Sequence, residues 1–221
     1  MAQQLPRRAS TAVFDLDGTL SDPSEGIVRS FRHALAAHGL PAVADADIRA
    51  EIGPPLDAAF RKLAPGIDEG AITGLVATYR ERYADTGYAE NTLYPEIPPL
   101  LERLRAARVP LGVCTSKRED FARRILALFG LDHLFRFVDG GDVGVSKASQ
   151  LSHLLSAGAI DGDAVMIGDR AVDIEAAGAN GLAAVGVLWG FGGIEELAGA
   201  SPAAIVDTPD GLGDLLLASA H

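Results

Sequence analysis

Short apolar segments that alternate with helical patterns limit what this 221-residue chain can fold into. Strand-like segments, bounded by Gly, Asp or Pro, lie near residues 11–15, 110–115, 135–139, 164–168, 183–188 and 204–206. Helical patterns separate most of them, as in Arg118–Phe129, where Phe121, Ile125 and Leu128 share a face and Gly130 follows. Such alternation is typical of a parallel sheet with helices on both faces. The sequence therefore predicts an α/β fold with a doubly wound, Rossmann-like core.

The region from residue 22 to 92 shows no convincing strand pattern and several helical ones. Ser24–His38 and Ile72–Tyr88 carry apolar residues at helical spacing. Between them, Ile52-Gly53-Pro54-Pro55-Leu56 must interrupt any helix, because proline lacks the backbone donor and clashes with the preceding turn. This break is either a turn between helices or a loop that contacts substrate. We predict a helical cap domain over residues 22–92, inserted into a core domain formed by residues 1–21 and 93–221.

Two carboxylates follow the first predicted strand, in Phe14-Asp15-Leu16-Asp17-Gly18-Thr19-Leu20. Asp15 and Asp17 would point the same way on a strand, because side chains alternate with a period of two. A bound cation would offset the cost of burying them side by side, and carboxylate-rich oxygen sites typically hold Mg²⁺, Mn²⁺ or Ca²⁺. The alternative is a strand that ends in an acidic turn, since Asp and Gly are common turn residues.

Charge and composition argue against several classes of function. A net charge of -11 with scattered basic residues opposes binding to a nucleic-acid polymer. No segment approaches the ~18 apolar residues of a membrane span. Cys114 is the single cysteine, which excludes an internal disulfide and is consistent with a reducing cytoplasm. We expect a cytoplasmic protein, monomer or homodimer, without a membrane or polymer partner.

Four segments, in order along the chain, resemble the motifs of the haloacid dehalogenase (HAD) superfamily. Asp15–Leu20 (DLDGTL) resembles the first motif, and Val109–Ser116 (VPLGVCTS) the second, with Thr115 at the matching position. Lys147 is similar to the lysine of the third motif, and Gly168–Asp173 resembles GDxxxD, the fourth. The strings IGPPL, YRERY, CTSK, FARRIL and VLWG are similar to the phosphoglycolate-phosphatase-like branch, in particular to its bacterial 5′-nucleotidase-like members.

This resemblance implies a Mg²⁺-dependent hydrolase that cleaves a small phosphate ester through an aspartyl-phosphate. Asp15 would be the nucleophile, and Asp17 the general acid and then the general base. The carboxylate of Asp15, the backbone carbonyl of Asp17 and Asp169 would hold Mg²⁺, with Asp173 supporting them. In this family an insert at the position of residues 22–92 closes over the site, where it would select the substrate. Asp173 has a second interpretation, as a cap of the helix that follows it.

The resemblance also implies that Thr115 (by its hydroxyl), Ser116 (by its backbone N–H) and Lys147 bind the phosphoryl oxygens. Lys147 departs from the pattern, because many relatives continue as Lys-Pro-x-Pro and this chain reads Lys-Ala-Ser-Gln. Lys147 could therefore be a solvated residue at the start of a helix, and Lys117 is a rival for the phosphate.

The resemblance favours a 5′-nucleotide or phosphoglycolate as the substrate without naming one. A β-phosphoglucomutase-like phosphomutase would use the same aspartates, and a catalytically silent phosphate-binding protein is a further alternative. A 2-haloacid dehalogenase is disfavoured, because that chemistry needs neither the Asp17 acid and base nor Mg²⁺.

Overall fold

A computed structural model describes residues 4–52, 56–141 and 145–218. The chain divides into two compact units, one formed by Met1–Asp22 with Leu93–His221 and the other by Pro23–Thr92. The first unit is built on a six-stranded parallel sheet in the order β5-β4-β1-β6-β7-β8. Its strands are β1 (Ala12–Phe14), β4 (Leu111–Arg118), β5 (Val138–Gly141), β6 (Val165–Gly168), β7 (Ala183–Val187) and β8 (Ala204–Val206). The doubly wound α/β prediction is confirmed.

The register of the central strands brings their carboxyl ends to one edge of the sheet. Phe14, the last residue of β1, lies opposite Val113 of β4 and Ile167 of β6. All three side chains are fully buried. The polar residues that follow these strands are therefore neighbours in space although up to about 150 positions separate them in sequence.

The helices of this unit are α5 (Ile97–Ala106), α6 (Glu119–Leu128), α7 (Lys147–Ser156), α8 (Ala171–Ala179) and α9 (Ile194–Gly199), which precede or connect its strands, and α10 (Pro209–Ala218), which follows the last strand. The predicted helix at Arg118–Phe129 is α6, and Gly130 after it has a φ of 68°, which glycine adopts without strain. Phe121 and Ile125 are buried as expected, but Leu128 is 52% exposed. The buried face of α6 also includes Ala122 and Leu126, so it is rotated away from Leu128.

The described residues of the second unit form the helices α1 (Ser24–Ala37), α2 (Asp45–Ala50), α3 (Leu56–Leu63) and α4 (Glu69–Asp85), and a 3₁₀ turn at Gly87–Glu90. Helix α4 begins three residues before the predicted Ile72, because the Asp68 side chain accepts hydrogen bonds from the backbone N–H groups of Gly70 and Ala71. An aromatic cluster of Phe31, Phe60 and Tyr79 forms part of its core, with ring centroids 4.7–6.3 Å apart.

The predicted break at Gly53-Pro54-Pro55 lies outside the described residues, between the end of α2 and the start of α3. Two short strands that the sequence did not predict, β2 (Ser21–Asp22) and β3 (Thr92–Leu93), pair with each other. No helix within the described ranges has both the length and the apolar composition needed to cross a membrane.

Candidate active site

Asp15 directly follows β1, and its own backbone N–H continues the sheet by donating to the Ile167 carbonyl at 2.9 Å. One carboxylate oxygen accepts the Leu16 N–H at 2.8 Å, while the other lies 2.9 Å from the Lys147 ammonium nitrogen. The residue is 8% exposed. Asp15 is thus held at the sheet edge by contacts to both oxygens and is still reachable from solvent.

Asp169 follows the neighbouring strand β6 and is fully buried. Its Oδ2 accepts the Phe191 N–H at 2.8 Å and its Oδ1 the Thr19 hydroxyl at 3.2 Å. Burial and then the Asp15 charge raise the pKa of Asp169 to about 7. Gly18 explains how the loop after β1 comes so close, because its φ is +83° and a Cβ there would lie 2.2 Å from Asp169 Oδ2.

Asp173 lies in the first turn of α8 and has two roles in the structure. Its Oδ2 accepts the Arg170 N–H at 3.0 Å, which caps the helix, and its Oδ1 pairs with Lys147. Asp173 is fully buried, and burial raises its pKa despite the neighbouring ammonium group. The capping interpretation is therefore correct but incomplete, since the same carboxylate belongs to the buried cluster.

Lys147 is the first residue of α7 and is 3% exposed, so it is not a solvated helix residue. Ser146 caps this helix by accepting the Ser149 N–H at 3.1 Å. The ammonium group bridges the carboxylates of Asp15 and Asp173. Burial alone would lower the pKa of Lys147, but these two carboxylates more than compensate, so the pKa lies above its usual range and the side chain stays charged.

The second lysine at the site, Lys117, pairs with Asp17 rather than with Asp15. The Lys117 nitrogen lies 2.7 Å from Asp17 Oδ2, and the two side chains are 9% and 24% exposed. Burial raises the pKa of Asp17 more than the Lys117 charge lowers it. Thr115, in the second half of β4, is 1% exposed and its hydroxyl accepts the Lys117 N–H at 3.2 Å. Ser116 beside it is exposed.

The seven predicted site residues lie at the carboxyl ends of β1, β4 and β6 and at the starts of α7 and α8. A family model of the haloacid dehalogenase-like hydrolases matches residues 12–187, from the first residue of β1 to the last of β7. The chain belongs to this family. The HAD prediction made from four motifs is thereby confirmed.

Several similar proteins agree with this membership. A 5′-nucleotidase of Pseudomonas aeruginosa is 41% identical over 199 residues, covering 88% of this chain and 90% of that protein. The tyrosine-protein kinase PtkA of Mycobacterium tuberculosis is 43% identical over 198 residues, covering 84% of this chain and 67% of that protein. The solved structure of a haloacid dehalogenase-like hydrolase family protein from Streptococcus pneumoniae superposes with a TM-score of 0.84 at 30% identity, covering 92% of this chain and 97% of that one.

The donors at this HAD-type site fit a divalent cation. Oxygens of Asp15, Asp169 and Asp173 lie within 4.8 Å of one another, and all three residues are buried. With Asp17, the described residues of the site include four carboxylates and only two ammonium groups, those of Lys117 and Lys147. A doubly charged cation would therefore balance the negative charge that remains. Hard oxygen donors of this kind suit Mg²⁺. The Asp17 carboxylate lies outside the three-residue cluster, and its backbone carbonyl remains the predicted contribution.

Sequence reasoning missed two supporting residues. Gln150 is 3% exposed, and its amide nitrogen donates to the Thr115 carbonyl at 3.1 Å and to Asp139 Oδ1 at 2.6 Å. Trp189 is the other, and its indole N–H donates to the Thr19 carbonyl at 3.0 Å. The departure from Lys-Pro-x-Pro was the available signal for Gln150, since it places a polar residue one turn after Lys147.

Proposed function

We propose that this protein is a Mg²⁺-dependent phosphomonoester hydrolase that acts on a small phosphorylated metabolite. The favoured substrates are a 5′-nucleotide and phosphoglycolate. The observation that carries the proposal is the position of the Asp15 carboxylate at the carboxyl edge of the sheet. There it pairs with the buried Lys147 ammonium group and forms a carboxylate cluster with Asp169 and Asp173. Membership of the hydrolase family and the match to a 5′-nucleotidase over nearly its full length support it.

In this proposal Asp15 attacks phosphorus and the ester oxygen leaves, so that an aspartyl-phosphate forms. Asp17 gives a proton to the departing oxygen and then removes one from the water that attacks phosphorus, which releases phosphate and restores Asp15. Burial raises the pKa of the Asp17 carboxyl group, which favours the protonated form needed for the first of these steps. A bound Mg²⁺, held by Asp15, Asp169 and the Asp17 carbonyl, would reduce the repulsion between carboxylate and phosphate.

The phosphoryl oxygens would be bound by Thr115, the Ser116 N–H and Lys147. Preorganised donors of this kind stabilise the negative charge on the phosphoryl oxygens in the transition state of phosphoryl transfer. Lys147 is already fixed between Asp15 and Asp173, so its charge costs little reorganisation when substrate binds. Asp173 pairs with the Lys147 ammonium group and accepts the Arg170 backbone N–H, and from this position it would support the metal site.

Residues 22–92 would form the cap that recognises the part of the substrate beyond the phosphate. The proposal rests on the position of this helical unit in the chain, after the strand that Asp15 follows and before the strand that contains Thr115.

A second candidate function is phosphoryl transfer to a hydroxyl group other than water. The relative named as a tyrosine-protein kinase raises this candidate, because an aspartyl-phosphate could pass its phosphoryl group to a tyrosine hydroxyl. A β-phosphoglucomutase-like reaction would use a sugar hydroxyl in the same way, and a catalytically silent phosphate-binding protein would form no intermediate. The alignment with the 5′-nucleotidase spans 90% of that protein against 67% of the kinase, which favours water as the acceptor.

The test is a substrate screen at saturating Mg²⁺ with 5′-nucleotides, phosphoglycolate and sugar phosphates, ranked by kcat/KM, beside p-nitrophenyl phosphate. Released phosphate equal to the ester consumed supports the hydrolase, whereas glucose 6-phosphate formed from glucose 1-phosphate identifies a mutase. Phosphotyrosine formed from a tyrosine peptide and ATP identifies the kinase activity. Asp15→Asn serves as the control for contaminating phosphatases, and turnover equal in that variant and the wild type would refute the proposal.

A further inference from the structure

Asp17 differs from the other carboxylates of the site in how it is held. Asp15, Asp169 and Asp173 each accept a hydrogen bond from a backbone N–H, so the protein chain itself orients them. In the part of the chain that the structure describes, Asp17 Oδ1 is buried without a hydrogen-bond partner, and Oδ2 pairs with Lys117 at 2.7 Å. The direction in which Asp17 points therefore depends on one side chain, that of Lys117.

Lys117 is well fixed for such a role. It belongs to β4, and its backbone N–H donates to the hydroxyl of the buried Thr115 at 3.2 Å. Its side chain is 9% exposed, so the apolar stem is packed and the ammonium group has little freedom to move. The other lysine, Lys147, bridges Asp15 and Asp173, and its described ion pairs do not include Asp17. The two lysines thus hold different members of the site.

We propose that Lys117 is the positioning residue for the general acid and base, and that it aims the Asp17 carboxyl group at the oxygen leaving phosphorus and then at the attacking water. The inference deepens the proposed function and rests on it. The two lysines then have different roles. Lys147 binds the nucleophile and the phosphoryl group, and Lys117 orients Asp17.

The leaving group distinguishes this role from simple phosphate binding. p-Nitrophenolate departs without needing a proton, whereas the alcohol of a nucleotide or of phosphoglycolate is a poor leaving group and needs one. A lysine that binds the phosphoryl oxygens would assist both esters equally. A lysine that positions the acid would matter far more for the alkyl ester, because general acid catalysis contributes about 10²–10⁴-fold only where a proton is required.

The experiment compares Lys117→Met, Asp17→Asn and the double variant with the wild type, by kcat/KM for p-nitrophenyl phosphate and for the best alkyl ester of the screen. We expect Lys117→Met to lose at least about tenfold more on the alkyl ester than on the aryl ester, a modest part of the general-acid contribution. Because Lys117 would act through Asp17, the double variant should be no more than about threefold slower than Asp17→Asn alone. Equal losses on both esters, or losses that multiply in the double variant, would overturn the inference.

Two further variants keep the result interpretable. Arg118→Met removes a positive charge from the adjacent residue, whose side chain is 58% exposed and pairs with Asp120, and it should stay within about twofold of the wild type on both esters. Lys117→Arg keeps the cation and should recover part of the alkyl-ester activity, with folding of each variant checked by circular dichroism. A wild type that hydrolyses neither ester would refute the proposed function and this inference together, whereas an active wild type with equal losses in Lys117→Met would refute the inference alone.

Discussion

Asp169→Asn should make the metal-free protein more stable while removing its response to Mg²⁺. The carboxylate is fully buried, and its pKa is raised from 3.8 to about 7, so the folded state is penalised for carrying this charge. An asparagine can keep both contacts, by accepting the Phe191 N–H with its oxygen and donating to the Thr19 hydroxyl with its nitrogen. The substitution therefore removes the charge while keeping a hydrogen bond to each of these two partners.

The magnitude follows from the pKa. A rise from 3.8 to about 7 corresponds to roughly 4 kcal/mol of unfavourable free energy above pH 7. This is an upper limit, because relaxation and water penetration reduce the cost of a buried charge, and we expect a gain of about 1–3 kcal/mol. For a chain of this length that is a rise in the melting temperature of roughly 2–12 °C.

The gain should depend on pH in a defined direction. Because the folded pKa of Asp169 is the higher one, the folded state binds more protons than the unfolded state between pH 3.8 and about 7. The penalty is therefore absent below pH 3.8, grows through this window and is complete above about pH 7. The advantage of Asp169→Asn should accordingly be largest at about pH 8 and smaller at about pH 5.5.

The assay is thermal unfolding in EDTA at both pH values, with and without excess Mg²⁺, beside Asp163→Asn as a control at an exposed aspartate. Mg²⁺ should raise the melting temperature of the wild type and of the control, because a ligand that binds only the folded state stabilises it, and it should leave Asp169→Asn unchanged. A variant that is less stable than the wild type in EDTA at the higher pH would refute the reasoning about the buried charge.

Three further outcomes are expected. Turnover should require Mg²⁺ and be inhibited by Ca²⁺, since Ca²⁺ accepts more ligands and could engage both oxygens of Asp15; full activity after verified metal removal would contradict this. Arg49 contacts Ser24 in the helical unit, and Arg49→Ala should lower kcat/KM for the best natural ester by a factor equivalent to about 1–3 kcal/mol while leaving that for p-nitrophenyl phosphate unchanged. Equal losses on both esters would mean that Arg49 has a general structural role. Cys114 is fully buried and its thiol pKa is raised to about 12 by burial, so a thiol reagent should label the single cysteine only after unfolding, and rapid labelling of the native protein would show otherwise.

The sequence predicted those parts of the fold and site that depend on short-range patterns. The buried strands were recognisable as apolar segments. That Asp15, Thr115 and Asp169 belong to one site was implied by the resemblance of their motifs to the HAD family. The boundaries of α4 were less predictable, because a single Asp68 side chain decides where that helix begins. Gly53-Pro54-Pro55, the predicted break in the cap, lies outside the described residues, so its part in substrate selection stays a prediction.

What the sequence did not predict are the pairings made by long side chains. Nothing in the spacing of Lys117 and Lys147 indicates which aspartate each one meets: Lys117 pairs with Asp17, and Lys147 with Asp15. Likewise, the contact of Gln150 with the Thr115 carbonyl depends on how α7 packs against β4. Such contacts are set by tertiary packing. They join residues too far apart in the sequence for its periodic patterns to relate them.

The most direct test of the account is whether Asp15 becomes phosphorylated during turnover. The enzyme is mixed with Mg²⁺ and p-nitrophenyl phosphate, quenched in acid, reduced with borohydride, which converts an aspartyl-phosphate to homoserine, and analysed by peptide mass spectrometry. We predict homoserine at position 15 alone, dependent on ester and metal, absent in Asp15→Asn and enriched in Asp17→Asn, because that variant still loses p-nitrophenolate but lacks the base for hydrolysis. Homoserine at another aspartate, or an unmodified Asp15 in both the wild type and Asp17→Asn during steady turnover, would contradict the account.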